Sequence, residues 1–368
     1  MNSLSNLLIV DLSRLVPGPL CSHVLSEMGA HVIKIEDEAN ADYLQYIPPL
    51  LKNKKGAMYT YLNRYKRIQK MCLKDSSDHK LLVSLIQKAD VLIETFRPGV
   101  LKKLGLNPKS LLKMNKQLII ASISGYGAEG ILSQKAGHDL NYQGLSGLLK
   151  THKAPKTLWA DLVGGGYYAA MSILAALYER TLTKKGRHLD ISLTQGLGYL
   201  KGLSLFEFQA GEVNQMLDGS LARYRVYTCR DGRQIAFAAL EDKFWNAWCQ
   251  LFNYPEWIDQ GGQYPDRDPL IHEKMESVFL GRSYNEWVKL LKNTDFCVTP
   301  VLSEDELLDP KQAFKAVSTE NLADFKVPSL FLGKKVKVRA NWQNVLKKKK
   351  IPPLLMKKLL KESKSVAK

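Results

Sequence analysis

Apolar and polar positions follow two periods along this chain, one of strands and one of helices. The run "LLIVDL" (7–12) is short, apolar and rich in β-branched residues, the pattern of a strand covered on both faces. "PGPLCSHVLSEMGA" follows as a proline-started helix closed by Gly29, and "HVIKIE" (31–36) is a second strand ending in charge. The alternation continues with a helix at 79–89, a strand at 90–96, a helix at 108–115 and a strand at 117–125. Strands alternating with helices predict an α/β fold, a Rossmann-like parallel sheet covered on both faces. "GGGYYAAMSILAALYERTL" (164–182) is the longest helical pattern, apolar nearly all round until Glu179, which predicts burial. "KKGRHLDISLTQG" adds a further strand and turn.

From about residue 200 the repeat is lost. "YRVYTCRDGRQIAFAAL" (224–240) reads as an antiparallel hairpin turning at Asp-Gly, and "EDKFWNAWCQLF" and "SYNEWVKLLKN" carry helical patterns after it. The expected organisation is a large α/β domain over 1–200, a smaller α+β domain over 205–320, and a returning segment with a basic tail over 321–368.

Composition narrows the function classes. The 368 residues, 45% hydrophobic with mixed charge, suit a globular protein with a sizeable core. The apolar runs fall short of the roughly 18 residues that span a bilayer, the first residues lack a signal peptide's basic region, and "SVAK" is not a peroxisomal address. Five scattered cysteines (Cys21, Cys72, Cys229, Cys249, Cys297) with no CxxC fit neither a disulfide framework nor a zinc site, and the seven histidines form no metal-binding pattern. A cytoplasmic protein without a metal is therefore expected. The net charge of +17 is concentrated at the end: from Lys334 onward 13 Lys and Arg face one acid, Glu362, leaving about +5 for the rest. This tail reads as a solvated amphipathic terminus, with contact to a polyanion or an anionic membrane as the sharper alternative.

"GYGAEG" (125–130) follows a strand and matches the dinucleotide fingerprint, but no clear helix follows and residues 143–155 contain no acid. Its glycines are read as turn residues, and no nicotinamide is expected.

Two other stretches carry candidate chemistry. "AGHDLNY" (136–142) sets His138 among small and apolar residues, and "WADLVGGG" (159–166) sets Asp161 before a glycine run. Taken alone, a satisfied core histidine and a helix-capping carboxylate explain them. An imidazole and a carboxyl group can also form a proton-transfer pair, because one titrates near neutrality and burial lifts the other toward it. Gly164–Gly166 would begin the long helix, with free N–H groups near Asp161.

Several blocks in order resemble the family III CoA-transferases, the superfamily that includes α-methylacyl-CoA racemase. They are "DLSRLVPGPLCSHVLSEMGAHVIKIE", "NRYKR" (63–67), "FRPGVLKKLGL" (96–106), "ISGYG" (123–127), "ERTLTKKGRHLDISL" (179–193) and "LDG" (217–219). "AGHDLNY" and "DFCVTPVL" (295–302) resemble the racemase branch. The resemblance implies the family III CoA-transferase fold as an interlocked homodimer, and an acyl-CoA thioester as substrate, with CoA part of the substrate and no separate cofactor. It places His138 and Asp161 as the acid/base pair that inverts the C2 stereocentre of a 2-methylacyl-CoA through an enolate, with Glu241 as a supporting acid. It places Met71, Cys72, Leu73, Lys74 and Arg97 at the nucleotide and phosphates, and Gly137, Asp139, Leu140, Asn141 and Tyr142 at the thioester end.

Some positions depart from the family pattern. Asp37 stands where an arginine is usual, so Lys34 or another cation is expected to compensate. "SLARY" after "LDG" and the lysine-rich tail also differ. Two other readings follow: a CoA-transferase forming an aspartyl anhydride on Asp161, or a degenerate, non-catalytic member whose tail binds a polyanion.

Overall fold

The computed structural model describes residues 3–149, 154–211, 216–258, 270–292, 294–309, 319–322, 324–328 and 342–361. The chain divides into two units, Met1–Gly202 with Val317–Lys368, and Leu203–Ala316.

The first unit alternates strands and helices: β1 (Leu8–Asp11), α1 (Pro17–Glu27), β2 (His31–Asp37), α2 (Ala57–Asn63), β3 (Arg67–Met71), α3 (Ser76–Ile86) and β4 (Val91–Glu94). There follow α4 (Val100–Lys103), α5 (Pro108–Met114), β5 (Ile119–Ser124), α6 (Asp139–Leu145), α7 (Tyr168–Thr183), β6 (Arg187–Ser192) and α8 (Leu193–Gly198). The six strands form one parallel sheet in the order β3-β2-β1-β4-β5-β6. Successive residues point to opposite faces. Ile9, Val32, Val91, Ile93, Ile119 and Ala121 meet α1 and α7 on one face, while Leu8, Val10, Ile33, Leu92 and Ile120 meet α3 and α5 on the other. Both faces are therefore dry, and the strands read as continuous apolar runs. The edge strand β3 had no such signal: "RIQKM" alternates charge with apolar residues, and its exposed Lys70 shows why.

The long helix departs from expectation in two ways. It begins at Ala160, and a π-helical turn (Ala160–Tyr167) runs into α7. The glycines thus lie inside the turn, where they allow close approach. A Cβ on Gly164 would sit 2.4 Å from the Leu193 carbonyl oxygen, and one on Gly166 would sit 2.6 Å from Leu20. Nor is the helix buried all round. Tyr168, Met171, Tyr178 and Leu182 form an exposed apolar stripe at i, i+3/i+4 spacing. Ala160–Thr183 also corrects the expectation about membrane spans: by length and composition it is long and apolar enough to cross one, with half of the window buried.

The second unit begins inside α9 (Gly202–Gln209), at Leu203, and is built around an antiparallel sheet of β7 (Tyr224–Thr228), β8 (Gln234–Ala238) and β9 (Val298–Pro300). The β7–β8 turn is the Asp-Gly turn read from sequence, with Gly232 at φ +78°. The helices α10 (Asp242–Leu251), α11 (Ile271–Leu280), α12 (Tyr284–Leu291) and α13 (Glu304–Leu308) complete it, and Trp245, Trp248, Trp257, Trp287, Phe237 and Phe279 fill its core. A short pair, β10 (Thr319–Leu322) and β11 (Phe325–Pro328), belongs to the first unit.

The tail is part of the first unit's core. In α14 (Trp342–Lys348), α15 (Pro353–Lys361) and the turn between them, Leu346, Ile351, Leu355 and Leu359 are buried with α3 and α5. Each such side chain is worth roughly 1.5–3 kcal/mol of burial. Lys349 pairs with Asp90 and Lys358 with Asp78, so two tail lysines are tied to the fold rather than free. A solvated terminus describes only the outer face. The lysines at 334–337 lie outside the described residues.

Candidate active site

In an open parallel sheet of this order the chain leaves β1 and β4 in opposite directions, which opens a crevice at their carboxyl ends. A cleft of about 760 Å³ lies there. Its wall is made of the loops that follow the strands: Leu12–Leu15 after β1, Lys34–Asp37 on β2, Leu73 and Lys74 after β3, Thr95–Pro98 after β4, and Ser124–Tyr126 after β5. Lys135–His138 and Tyr142 close it.

Beneath the cleft a buried charge cluster fixes the first loop. Asp11 accepts from Ser22 Oγ (2.5 Å), from Ser13, and from Lys66 Nζ (3.2 Å). Burial pushes the Asp11 carboxyl up, but Lys66 and Lys34 with the two hydroxyls outweigh it and hold it below its usual range. Burial brings Lys66 down to about 8, with Asp11 opposing. Lys34 donates to the Ser13 carbonyl (2.6 Å) and lies 3.6 Å from Asp42. Asp42 in turn accepts from the N–H of Leu15 (3.1 Å), whose φ of +65° turns the loop. Lys34 therefore lines the cleft wall with its ammonium engaged by the Ser13 carbonyl and Asp42.

Asp37 ends β2 half-buried in the cleft wall and accepts from the Leu73 N–H (3.3 Å). Of the other predicted nucleotide contacts, Leu73, Lys74 and Arg97 line the cleft. Met71 is fully buried in the core, and Cys72 gives its N–H to Asp78 (2.8 Å), outside the cleft wall. Arg14, Thr95, Tyr126 and Lys135 also line the cleft and went unpredicted. Arg14 and Tyr126 fall inside sequence blocks quoted above without being singled out, and three of the four sit just after strands, where the crevice rule would have found them.

The "AGHDLNY" segment turns sharply into α6. His138 is the residue before the helix, exposed on the cleft wall, and its N–H is held by Asn141 Oδ1 (3.0 Å). Tyr142 OH donates to the Gly137 carbonyl (2.6 Å), and burial, then Tyr126 and the nearby carboxylates, pushes that phenol up to about 12. Only glycine fits around this ring: a Cβ on Gly125 would sit 2.3 Å from it and one on Gly137 2.8 Å. Leu140 and Asn141 face solvent.

Asp139 ties this segment to Asp161. Its Oδ1 accepts the Asp161 N–H (2.8 Å), and its other oxygen accepts from Gln143. Asp161 lies in the first turn of the π-helical segment. Burial first, and the Asp139 charge second, push its carboxyl up to about 7. A side chain at that value is part protonated and part ionised near neutrality, and so is able both to give and to take a proton. Asp161 is not among the residues that line the cleft, and its charge is felt by Tyr142, which is. Glu241 belongs to the second unit, exposed at the start of α10, where its charge is felt by Cys297.

Residues 4–352 match the model of the CoA-transferase family III. A CaiB/BaiF CoA-transferase family protein of Caenorhabditis elegans is 35% identical over 83% of this chain and 87% of its own. Human α-methylacyl-CoA racemase is 34% identical over 83% and 79%, and the acetyl-CoA:oxalate CoA-transferase of Acetobacter aceti 28% over 82% and 81%. Among solved structures, a CaiB/BaiF family protein from Brucella suis superposes with a TM-score of 0.75 at 23% identity, over 90% of this chain and 92% of that one, a likeness of fold. With a family model spanning nearly the whole chain and relatives above 30% identity, the chain belongs to the CoA-transferase family III.

Proposed function

We propose that this chain is an α-methylacyl-CoA racemase-like enzyme that inverts the carbon next to a thioester carbonyl. The observation that carries the reading is the pairing through Asp139: His138 stands on the cleft wall, and the next residue holds the backbone of Asp161, whose carboxyl titrates at about 7. The thioester carbonyl acidifies its α-proton by delocalising charge onto oxygen. One of the two groups takes that proton, an enolate forms, and the other returns a proton to the opposite face. Protons balance, and the roles exchange with direction. Lys74, Arg97, Arg14 and Lys135 supply cations for the CoA phosphates. The 34% identity to the human racemase supports the branch, and the 28% identity to the oxalate transferase keeps the second reading in play.

That second reading makes Asp161 a nucleophile forming an acyl anhydride. Incubation with a 2-methylacyl-CoA in D2O, followed by NMR at the α-position, tests the first. Exchange with loss of optical purity, abolished or made one-sided in His138→Ala and Asp161→Ala, is the expected result. Absence of exchange across several acyl chains, with an adduct on Asp161 trapped by hydroxylamine, would establish the transferase instead.

A further inference from the structure

We infer that the helical layer over one face of the parallel sheet is a docking surface for an anionic membrane, held by charge rather than by insertion. α3, α4, α5, α14 and α15 pack on that face through one apolar cluster, so the tail lies with helices that are distant from it in sequence. Residues 96–118 carry six basic residues and no acid, and residues 342–361 carry seven lysines and no acid. The return of the tail joins these two stretches of one sign into a single layer. Lys102, Lys103, Lys109, Lys113, Lys347 and Lys357 are exposed on it, and none has an ion pair among the described residues.

The acids nearest these lysines are already engaged. Asp78 pairs with Lys358 (2.5 Å), Asp90 with Lys349 and with Arg180 (3.3 Å), and Asp75 caps α3 through the N–H groups of Ser77 (2.9 Å) and Asp78 (3.0 Å). The opposite layer has no such bias: α1 contains no lysine or arginine, and α7 contains only Arg180. The field is one-sided, and turns this layer toward a negative surface. Outside the cleft its described basic residues are all lysines, point charges without the planar fork that matches phosphodiester and base geometry. Its tryptophan, Trp342, packs on Arg67 and His31 rather than offering a face to a nucleic-acid base. Leu354, 72% exposed one turn before Lys357, suits the boundary of headgroups and acyl chains. The apolar faces of α14 and α15 are already buried in the core, so neither sinks into a bilayer as a free amphipathic helix does. A second copy of the chain would set lysines against lysines across a two-fold contact.

Co-sedimentation of the full chain with vesicles tests this, comparing pure phosphatidylcholine with phosphatidylcholine that contains about one-third phosphatidylserine. Each lysine near an anionic surface strengthens binding about fivefold, so at about 0.1 M salt the mixed vesicles should bind at least about a hundredfold more tightly than the neutral ones. Raising the salt to about 0.5 M should remove the difference. Lys109→Glu with Lys113→Glu, and separately Lys347→Glu with Lys357→Glu, should each weaken binding about twenty-fivefold or more, since the two stretches form one surface. Thermal melts should show both double variants folded. No preference for the anionic vesicles at the lower salt, or a preference that survives in both double variants, would overturn the inference. Tighter binding to a DNA duplex than to the vesicles, lost in the same variants, would overturn it in favour of a nucleic acid.

Discussion

Two sets of charges lie within one unit, and they differ in what completes them. Below the cleft, Asp11, Lys34, Lys66 and Asp42 are fully buried or nearly so, and each is answered by another member or by a hydroxyl or carbonyl. On the cleft wall, Lys74, Arg97 and Lys135 have no ion pair among the described residues. A buried charge without a partner costs several kcal/mol, so the first set must be closed for the chain to fold. An exposed charge tolerates water as its partner until a ligand replaces it. Asp161 lies between these regimes: half-buried, with no ion pair among the described residues, and lifted to about 7 by burial and then by the Asp139 charge.

Substitutions should separate the two sets, beginning with the intermediate case. Asp161→Ala should lower α-proton exchange by roughly 10²–10⁴-fold, the usual contribution of a positioned acid or base, with the fold retained by circular dichroism. Lys66→Met leaves Asp11 short of its nearest cation, and should lower unfolding free energy by about 3–5 kcal/mol in urea titrations. Arg97→Ala should weaken CoA binding by about tenfold, the loss of one charge-assisted hydrogen bond, while the thermal midpoint stays within a degree or two. The smallest effect belongs to the partly exposed Lys349–Asp90 pair, where Lys349→Ala should cost about 1 kcal/mol or less, and less again at high salt.

Acidity gives a separate test. The folded-state value of Asp161 lies above the ordinary carboxylate value of 3.8, at about 7. Across that interval the folded chain holds a proton that the unfolded chain has released. Its contribution to stability is therefore full below the lower value and lost as pH rises through the upper one. Asp161→Asn should raise the melting temperature more at pH 8 than at pH 4. Asp139→Asn removes the lesser cause, so the apparent value measured by carboxyl NMR should fall below 7 without reaching 3.8.

The sheet was legible wherever a strand is covered on both faces, since "LLIVDL" and "QLIIASISG" admit few other readings. β3 was not, because an edge strand can carry Arg67 and Lys70 without losing its ladder. Local sequence also misjudged Gly164–Gly166: three glycines look like a helix start, but here they let a π-helical turn pack against α1 and α8, contacts set by residues distant in sequence. In the candidate site, His138 and Asp161 stood out through their surroundings and through family resemblance. The linking role of Asp139 depends on a backbone N–H 22 positions away, and no local pattern encodes it. Arg14 and Lys135 were hidden among 53 basic residues until the strand ends were located.

The return of α14 and α15 to the first core bears on how the protein is made. Leu346, Ile351, Leu355 and Leu359 cover α3 and α5, yet a ribosome delivers them only after the whole second unit has emerged. Until then the nascent first unit carries an uncovered leucine-rich face. The second unit, continuous in sequence, is free to mature first, and the unit that carries the cleft is the last to be sealed.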